Sequence, residues 1–160
     1  MSKINFKNII LNITIVSIIF MIDRISKFYI LKISEIENSV DIYINSYLNL
    51  YLIWNKGIAF GLLSFDQNLI YNLISLIIAA ISLVIVILIT KTKGIEKYSF
   101  IIVFGGAISN LFDRIYYKAV PDFIDFHIAE YHWFVFNVAD IFITLGIISI
   151  ILIELFKNKN

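Results

Sequence analysis

Carboxylates carry the most suggestive chemistry in this chain. Asp122 and Asp125 stand in the run Val120-Pro121-Asp122-Phe123-Ile124-Asp125. A carboxylate held between apolar residues at an interface loses solvation, and its pKa rises. Two such groups near one another suit shared-proton acid–base chemistry, because like charges do not both ionise. A solvated loop acid is the simpler alternative. Asn137 and Asp140 are spaced as a capping-box variant, and an acid at a helix N-terminus is favoured by the dipole. A well-capped helix accounts for them without chemistry. Asp23 precedes Lys27 by one helical turn, the favourable order for an ion pair. Lys27 either snorkels to a membrane surface or frames a polar pocket.

Other polar residues sit among small ones. Asn55, Gly57 and Ala59-Phe60-Gly61 follow a run of alternating apolar residues. Asn and Gly there suit a turn, and equally a polar backbone edge that holds an extended peptide. Gly105 and Ser109 are a turn apart, as are Gly106 and Asn110, a spacing that lets membrane helices approach closely. Arg114 shares a face with Asn110 and calls for a carboxylate from another segment, since neighbouring Asp113 points elsewhere on a helix. His127 and His132 suggest a metal site with the nearby acids, but their five-residue spacing matches no zinc signature, so no metal is expected. Ser26 and Lys27 are adjacent on a helix and diverge, which argues against a Ser–Lys dyad.

The elements that must position these residues are membrane helices. Of 160 residues, 60% are hydrophobic and only 16% charged, and the mean hydropathy is +0.89. A soluble domain needs more charge than this. There is no cysteine, which excludes disulfides, zinc–thiolate sites and cysteine nucleophiles. A net charge of +1 gives no field for nucleic acid. Residues 67–90 carry no charge and form one complete span, since about 20 apolar residues cross a bilayer. The charge-free runs 8–22, 98–112 and 141–153 are shorter and span only by drawing in polar residues at one end. The expected fold is an all-α membrane protein with spans near 8–30, 68–89, 97–114 and 137–155. These form a single domain over 1–160. A small extracytoplasmic β-strand segment near 47–54 and an aromatic outer loop at 131–136 complete it.

Orientation follows from the lysines. Lys3, Lys7, Lys91, Lys93, Lys97, Lys157 and Lys159 crowd three short segments, which places both termini in the cytoplasm. The basic, then apolar N-terminal stretch lacks a small-residue cleavage site and is expected to remain as a helix. The polar residues drawn into the bilayer then all lie at its outer leaflet. Ionisable groups at that depth face a protein interior or a wet cavity, so an outer-facing polar pocket is the simplest arrangement.

Five blocks now stand in order: Asp23-Arg24-Ile25-Ser26-Lys27, Asn55-Lys56-Gly57-Ile58-Ala59-Phe60-Gly61, Gly105-Gly106 through Asn110-Leu111-Phe112-Asp113-Arg114, Val120-Pro121-Asp122-Phe123-Ile124, and Phe136-Asn137-Val138-Ala139-Asp140. In this order, on a four-span chain of this size, they resemble the bacterial lipoprotein signal peptidases, or signal peptidase II. The blocks run from residue 23 to 140, about three-quarters of the chain. The resemblance implies an aspartic endopeptidase of the cytoplasmic membrane that cuts prolipoproteins just before a diacylglyceryl-modified cysteine. It implies Asp122 and Asp140 as the catalytic pair. Asn55, Gly57, Asn110, Arg114 and Asn137 match residues that hold substrate or orient the pair, while Asp23, Lys27 and Asp113 match structural positions. Arg24 stands where Gln is common, Ser109 where Gly is usual, and Pro121 where an aliphatic is usual. Pro121 sets φ and biases Val120 to an extended shape.

The mechanism so implied has the two aspartates share one proton and activate a water, with no cofactor and no covalent intermediate. The partners are prolipoproteins and membrane lipids, and a monomer is expected because one chain builds the pocket. A proton- or cation-conducting subunit is the rival reading of a buried acid pair. It requires polar residues through the full membrane depth. A non-catalytic scaffold, the third reading, leaves the clustered acids unexplained.

Overall fold

The computed structural model describes residues 6–57 and 67–157. Ile58, Ala59, Phe60 and Gly61 of the second motif block lie outside the described residues, as do Lys3 and Lys159. The elements are α1 (Phe6–Glu37), β1 (Asp41–Asn45), β2 (Leu48–Asn55), α2 (Gln67–Lys91), α3 (Gly94–Tyr117), β3 (Val120–Ile128), β4 (Tyr131–Phe136) and α4 (Val138–Lys157). Each helix is long and apolar enough to cross a membrane. Protein does not cover their outer faces: Ile10 is 61% exposed and Leu83 68%. Such faces need lipid. α1 runs past its expected end at residue 30 and stops where Asn38 turns left-handed with φ 60°, a conformation that Asn tolerates at a helix C-terminus.

The sheet departs from expectation. The sequence predicts one strand and an aromatic loop outside the membrane, yet among the described residues four antiparallel strands form in the order β1-β2-β3-β4. The aromatic run 131–136 is a strand, not a loop. Its aromatic and branched residues favour the pleated surface, and the hairpin turn closes through Ala129 at φ 52°. The two halves of the sheet come from the α1–α2 and α3–α4 connections, so both connections lie at one end of the helices. Ile30, Val40 and Phe123 form a buried cluster there, with Leu50, Leu52 and Val138 packed against it. That cluster seats the sheet on the end of α1 and the start of α4. Pro121 pairs with Trp54 one residue inside β3, near a strand end, where proline is tolerated.

Register in the β3–β4 hairpin decides where the aromatics point. Asp125 pairs with Val135, but His127 pairs with His132. Trp133 and Phe134 therefore stand together opposite Phe126, as a β-bulge. Both rings turn to the side of Phe126, and with Phe136 they wall a cavity of about 430 Å³.

α3 is the central helix. A Cβ on Gly105 would lie 3.0 Å from Ile19 of α1, and one on Gly106 would lie 2.5 Å from the Ala139 carbonyl oxygen of α4. On α4, a Cβ at Gly146 would meet Val103 at 2.5 Å. The small residues thus do the packing that their spacing predicted. Gly106→Ala forces α4 away from α3 and is expected to destabilise the protein by about 1–3 kcal/mol. Thermal unfolding in detergent checks this, and an unchanged midpoint would contradict so close a helix contact.

Candidate active site

Five of the residues singled out by sequence meet at the junction of α3, α4 and the sheet. Asp122 projects from β3 and is 3% exposed. Its Oδ1 accepts from Asn137 Nδ2 at 2.6 Å, and its Oδ2 accepts from Asn55 Nδ2 at 2.9 Å. Asp140 sits in the first turn of α4. Its Oδ1 accepts from Asn110 Nδ2 at 2.8 Å, and its Oδ2 accepts from the Asn137 backbone N–H at 3.1 Å. Asn137 Oδ1 accepts in return from the Asp140 backbone N–H at 3.2 Å. The capping box is therefore real, and it is also the bridge between the two carboxylates.

Among the described residues, every donor to these two carboxylates is a neutral amide. Burial pushes the Asp122 carboxyl up to about 6 from its usual 3.8. The Asn137 and Asn55 hydrogen bonds pull it down, and the nearby Asp140 charge adds to the rise. A group so placed exchanges a proton near neutral pH, as acid–base work requires.

Behind the pair lies a buried charged cluster. Lys27 Nζ lies 2.8 Å from Asp23 Oδ2 and 2.6 Å from Asp113 Oδ2. Lys27 is 1% exposed, so it does not snorkel: two carboxylates hold its ammonium inside. Arg24 pairs with Asp23 at 2.8 Å and also binds Asp113. Asp23 further accepts from Ser109 Oγ at 2.6 Å and from the Ala139 backbone N–H at 2.9 Å. Lys27 donates to Asn110 Oδ1 at 2.9 Å. That last bond orients the Asn110 amide, whose NH₂ then points at Asp140.

Arg114 behaves differently from expectation. It meets no carboxylate among the described residues, because α3 turns Asp113 toward α1 and Arg114 toward α2. There its guanidinium lies over the Tyr71 ring at 5.7 Å, and Tyr71 Oη donates to the Arg114 carbonyl at 2.6 Å. Its Nε and Nη1 are buried and have no hydrogen-bond partner among the described residues. Gly57, with φ 78°, lies beside it: a Cβ there would stand 3.2 Å from the guanidinium. Asn55 Oδ1 accepts from the Gly57 N–H at 2.6 Å, so one side chain shapes this turn and holds Asp122.

Sequence reasoning passed over three contributors. Arg24 was noticed only as a departure from a family pattern, and Ser109 only as that and as a small packing residue, yet both bind Asp23. The wall of Phe126, Trp133, Phe134 and Phe136, which shares its cavity with Asp140, Ile141 and Thr144, depends on a bulge that no spacing rule reveals. The rival conducting path finds no support. Apart from Ser82 and Ser99, the buried polar residues among those described belong to the sheet, to the last turns of α3 and the head of α4, or, for Asp23 and Lys27 midway along α1, to the cluster bound to those turns.

The chain as a whole is similar to known proteins. A model of the family "Signal peptidase (SPase) II" matches residues 15–156. A lipoprotein signal peptidase of Pelagibacter ubique (strain HTCC1062) is 56% identical over 159 residues, covering 99% of this chain and 96% of that protein. One from Anaplasma phagocytophilum (strain HZ) is 38% identical, covering 94% and 95%. A bacterial membrane enzyme solved by the in meso method at 2.3 Å superposes with a TM-score of 0.69 at 25% identity, covering 94% of this chain and 90% of that one.

Two outcomes follow from the electrostatics. Lys27→Met leaves two carboxylates buried beside a single cation, and is expected to cost about 3–5 kcal/mol in thermal or denaturant unfolding. A loss below about 1 kcal/mol, the range of exposed pairs, would contradict a buried cluster. The raised Asp122 carboxyl favours the folded state while it is protonated. Its contribution is full below 3.8 and is lost as pH rises through about 6. Asp122→Asn is expected to remove that slope from the stability profile between about pH 4 and 6.

Proposed function

The chain belongs to the signal peptidase II family, and on that basis we propose that Asp122 and Asp140 are its catalytic pair. It is a multi-pass membrane protein and an aspartic peptidase that removes signal peptides from prolipoproteins. One observation carries the assignment of the pair. Among the described residues, Asp122 and Asp140 are tied together through Asn137 and held only by amides, whereas the buried acids Asp23 and Asp113 are each held by cations.

The pair shares one proton and titrates as a unit. The ionised member takes a proton from a substrate water as its oxygen attacks the scissile carbonyl. The protonated member donates to the carbonyl oxygen, giving a tetrahedral diol. Collapse of the diol breaks the C–N bond, and a proton passes to the leaving nitrogen. Asn55, Asn110 and Asn137 hold the carboxylates in position throughout. Arg114 and Gly57, beside Asn55, bind the substrate backbone: the unpartnered guanidinium N–H groups are donors for a peptide carbonyl.

The apolar cavity next to Asp140 receives the acyl-bearing segment. Its lining of four aromatic rings, Ile141 and Leu145 suits diacylglyceryl chains and the apolar signal sequence. The lysine-rich helix ends belong in the cytoplasm, with the sheet and the acid pair at the outer leaflet of the cytoplasmic membrane. A single chain supplies every group named, so the working unit is a monomer.

The test is cleavage of a diacylglyceryl-modified lipobox peptide by purified protein in detergent, followed by mass spectrometry. The parent is expected to cut before the modified cysteine. Asp122→Asn and Asp140→Asn, each folded, are expected to lose at least about a hundredfold in rate. Near-parental cleavage by either variant would overturn the assignment of the pair.

A further inference from the structure

The β3–β4 hairpin gathers a second group of polar residues that this peptidase chemistry does not use. We propose that Asp125, His127 and His132 form a binding site for a zinc-type divalent cation, separate from the acid pair. Strand pairing achieves what the linear spacing does not. His127 and His132 are direct partners across the hairpin, and Asp125 lies on the same side of β3 as His127. Their ligand atoms all lie within 4.8 Å of one another. His132 Nδ1 is 2.9 Å from Asp125 Oδ2, and His127 Nδ1 is 3.7 Å from the same oxygen. Ligands about 2.1 Å from a tetrahedral zinc lie about 3.4 Å apart, so closing on a cation needs only small side-chain shifts.

A second observation points to a ligand. His127 is 9% exposed, and its Nδ1 is buried with no hydrogen-bond partner. Its backbone N–H is bound to the Tyr47 carbonyl at 3.0 Å, which anchors it at that place. Asn49, the partner of Asp125 across β2–β3, also carries a buried Oδ1 without a donor. Asn49, Asp125 and His132 line one cavity of about 410 Å³, and Asp41 completes its acidic wall. None of these residues lines the cavity that holds Asp140. A hydrogen-bonded His132–Asp125 pair alone leaves both His127 Nδ1 and Asn49 Oδ1 unsatisfied, a cost for buried polar atoms. A cation between the rings gives His127 its partner and draws the Asn49 carbonyl.

The donor set selects the ion. Two imidazoles and one carboxylate suit zinc and its neighbours, whereas magnesium and calcium prefer all-oxygen sites. The hydrogen bond between His132 Nδ1 and Asp125 gives way, and both groups turn to the cation. Asn49 or a water then fills the fourth position.

Calorimetric titration of Zn²⁺ into the tag-free full chain in detergent tests this. One equivalent is expected to bind saturably, with no response to Mg²⁺. His132→Ala removes a ligand whose side chain is 56% exposed and is expected to weaken binding at least about tenfold. Asp125→Asn should do the same, and Asp140→Asn should bind as the parent does. Absence of saturable binding by the parent, unchanged binding by His132→Ala and Asp125→Asn, or loss of binding in Asp140→Asn would each overturn the proposal. The last result would mean that the acid pair itself holds the ion.

Discussion

Two buried carboxylates, a buried lysine and a partly buried arginine between α1 and α3 are the constraint on which the rest depends. Asp23, Arg24, Lys27 and Asp113 balance in charge, and each of the four touches at least two polar partners. In a membrane helix, a charge left without such partners is expelled or dragged to the surface. The balance therefore pins the depth and rotation of α1 against α3. From this cluster, one direct bond and one relay through Asn110 reach the first turn of α4. Asp23 holds the Ala139 N–H, and Lys27 orients Asn110 toward Asp140. Glycine contacts bring the helices near enough for these bonds to form.

The four key aspartates have one side chain and two environments. Asp23 and Asp113 meet cations and serve as fasteners. Asp122 and Asp140 meet amides, which leave their charge uncompensated. Asn137 is central to this separation. Its side chain and backbone contact both members of the pair, so their spacing is set by one residue at the head of α4. The sheet completes the site from the other side, because β2 brings Asn55 and β3 brings Asp122. The bulge at Trp133 and Phe134 turns an aromatic wall toward the same place.

Much of this was legible in the residues. Charge-free runs marked the helices, since the hydrocarbon thickness dictates their length, and the Asn137–Asp140 spacing announced the cap. The polar residues were expected to gather at one end of the bundle, and they do. Three features were hidden for physical reasons. The four-stranded sheet does not announce itself, because its central pairing, β2 with β3, joins connections separated by two helices. Lys27 looked like a snorkelling residue because its second carboxylate, Asp113, is remote in sequence. The His127–His132 pairing became visible only once the hairpin register was known, and the expectation of no metal rested on linear spacing alone. Arg114 misled in the opposite sense: an arginine on a packing face suggested a carboxylate, and it found an aromatic ring.

The central claim is that two aspartates activate water directly, without a covalent enzyme intermediate. A single turnover in water enriched in oxygen-18, with enzyme in excess over lipidated substrate, tests it most directly. The account predicts one heavy oxygen in the new carboxylate of the released signal peptide and none in Asp122 or Asp140. An unlabelled first product, with the heavy atom found in either aspartate, would contradict it and identify that carboxylate as a nucleophile.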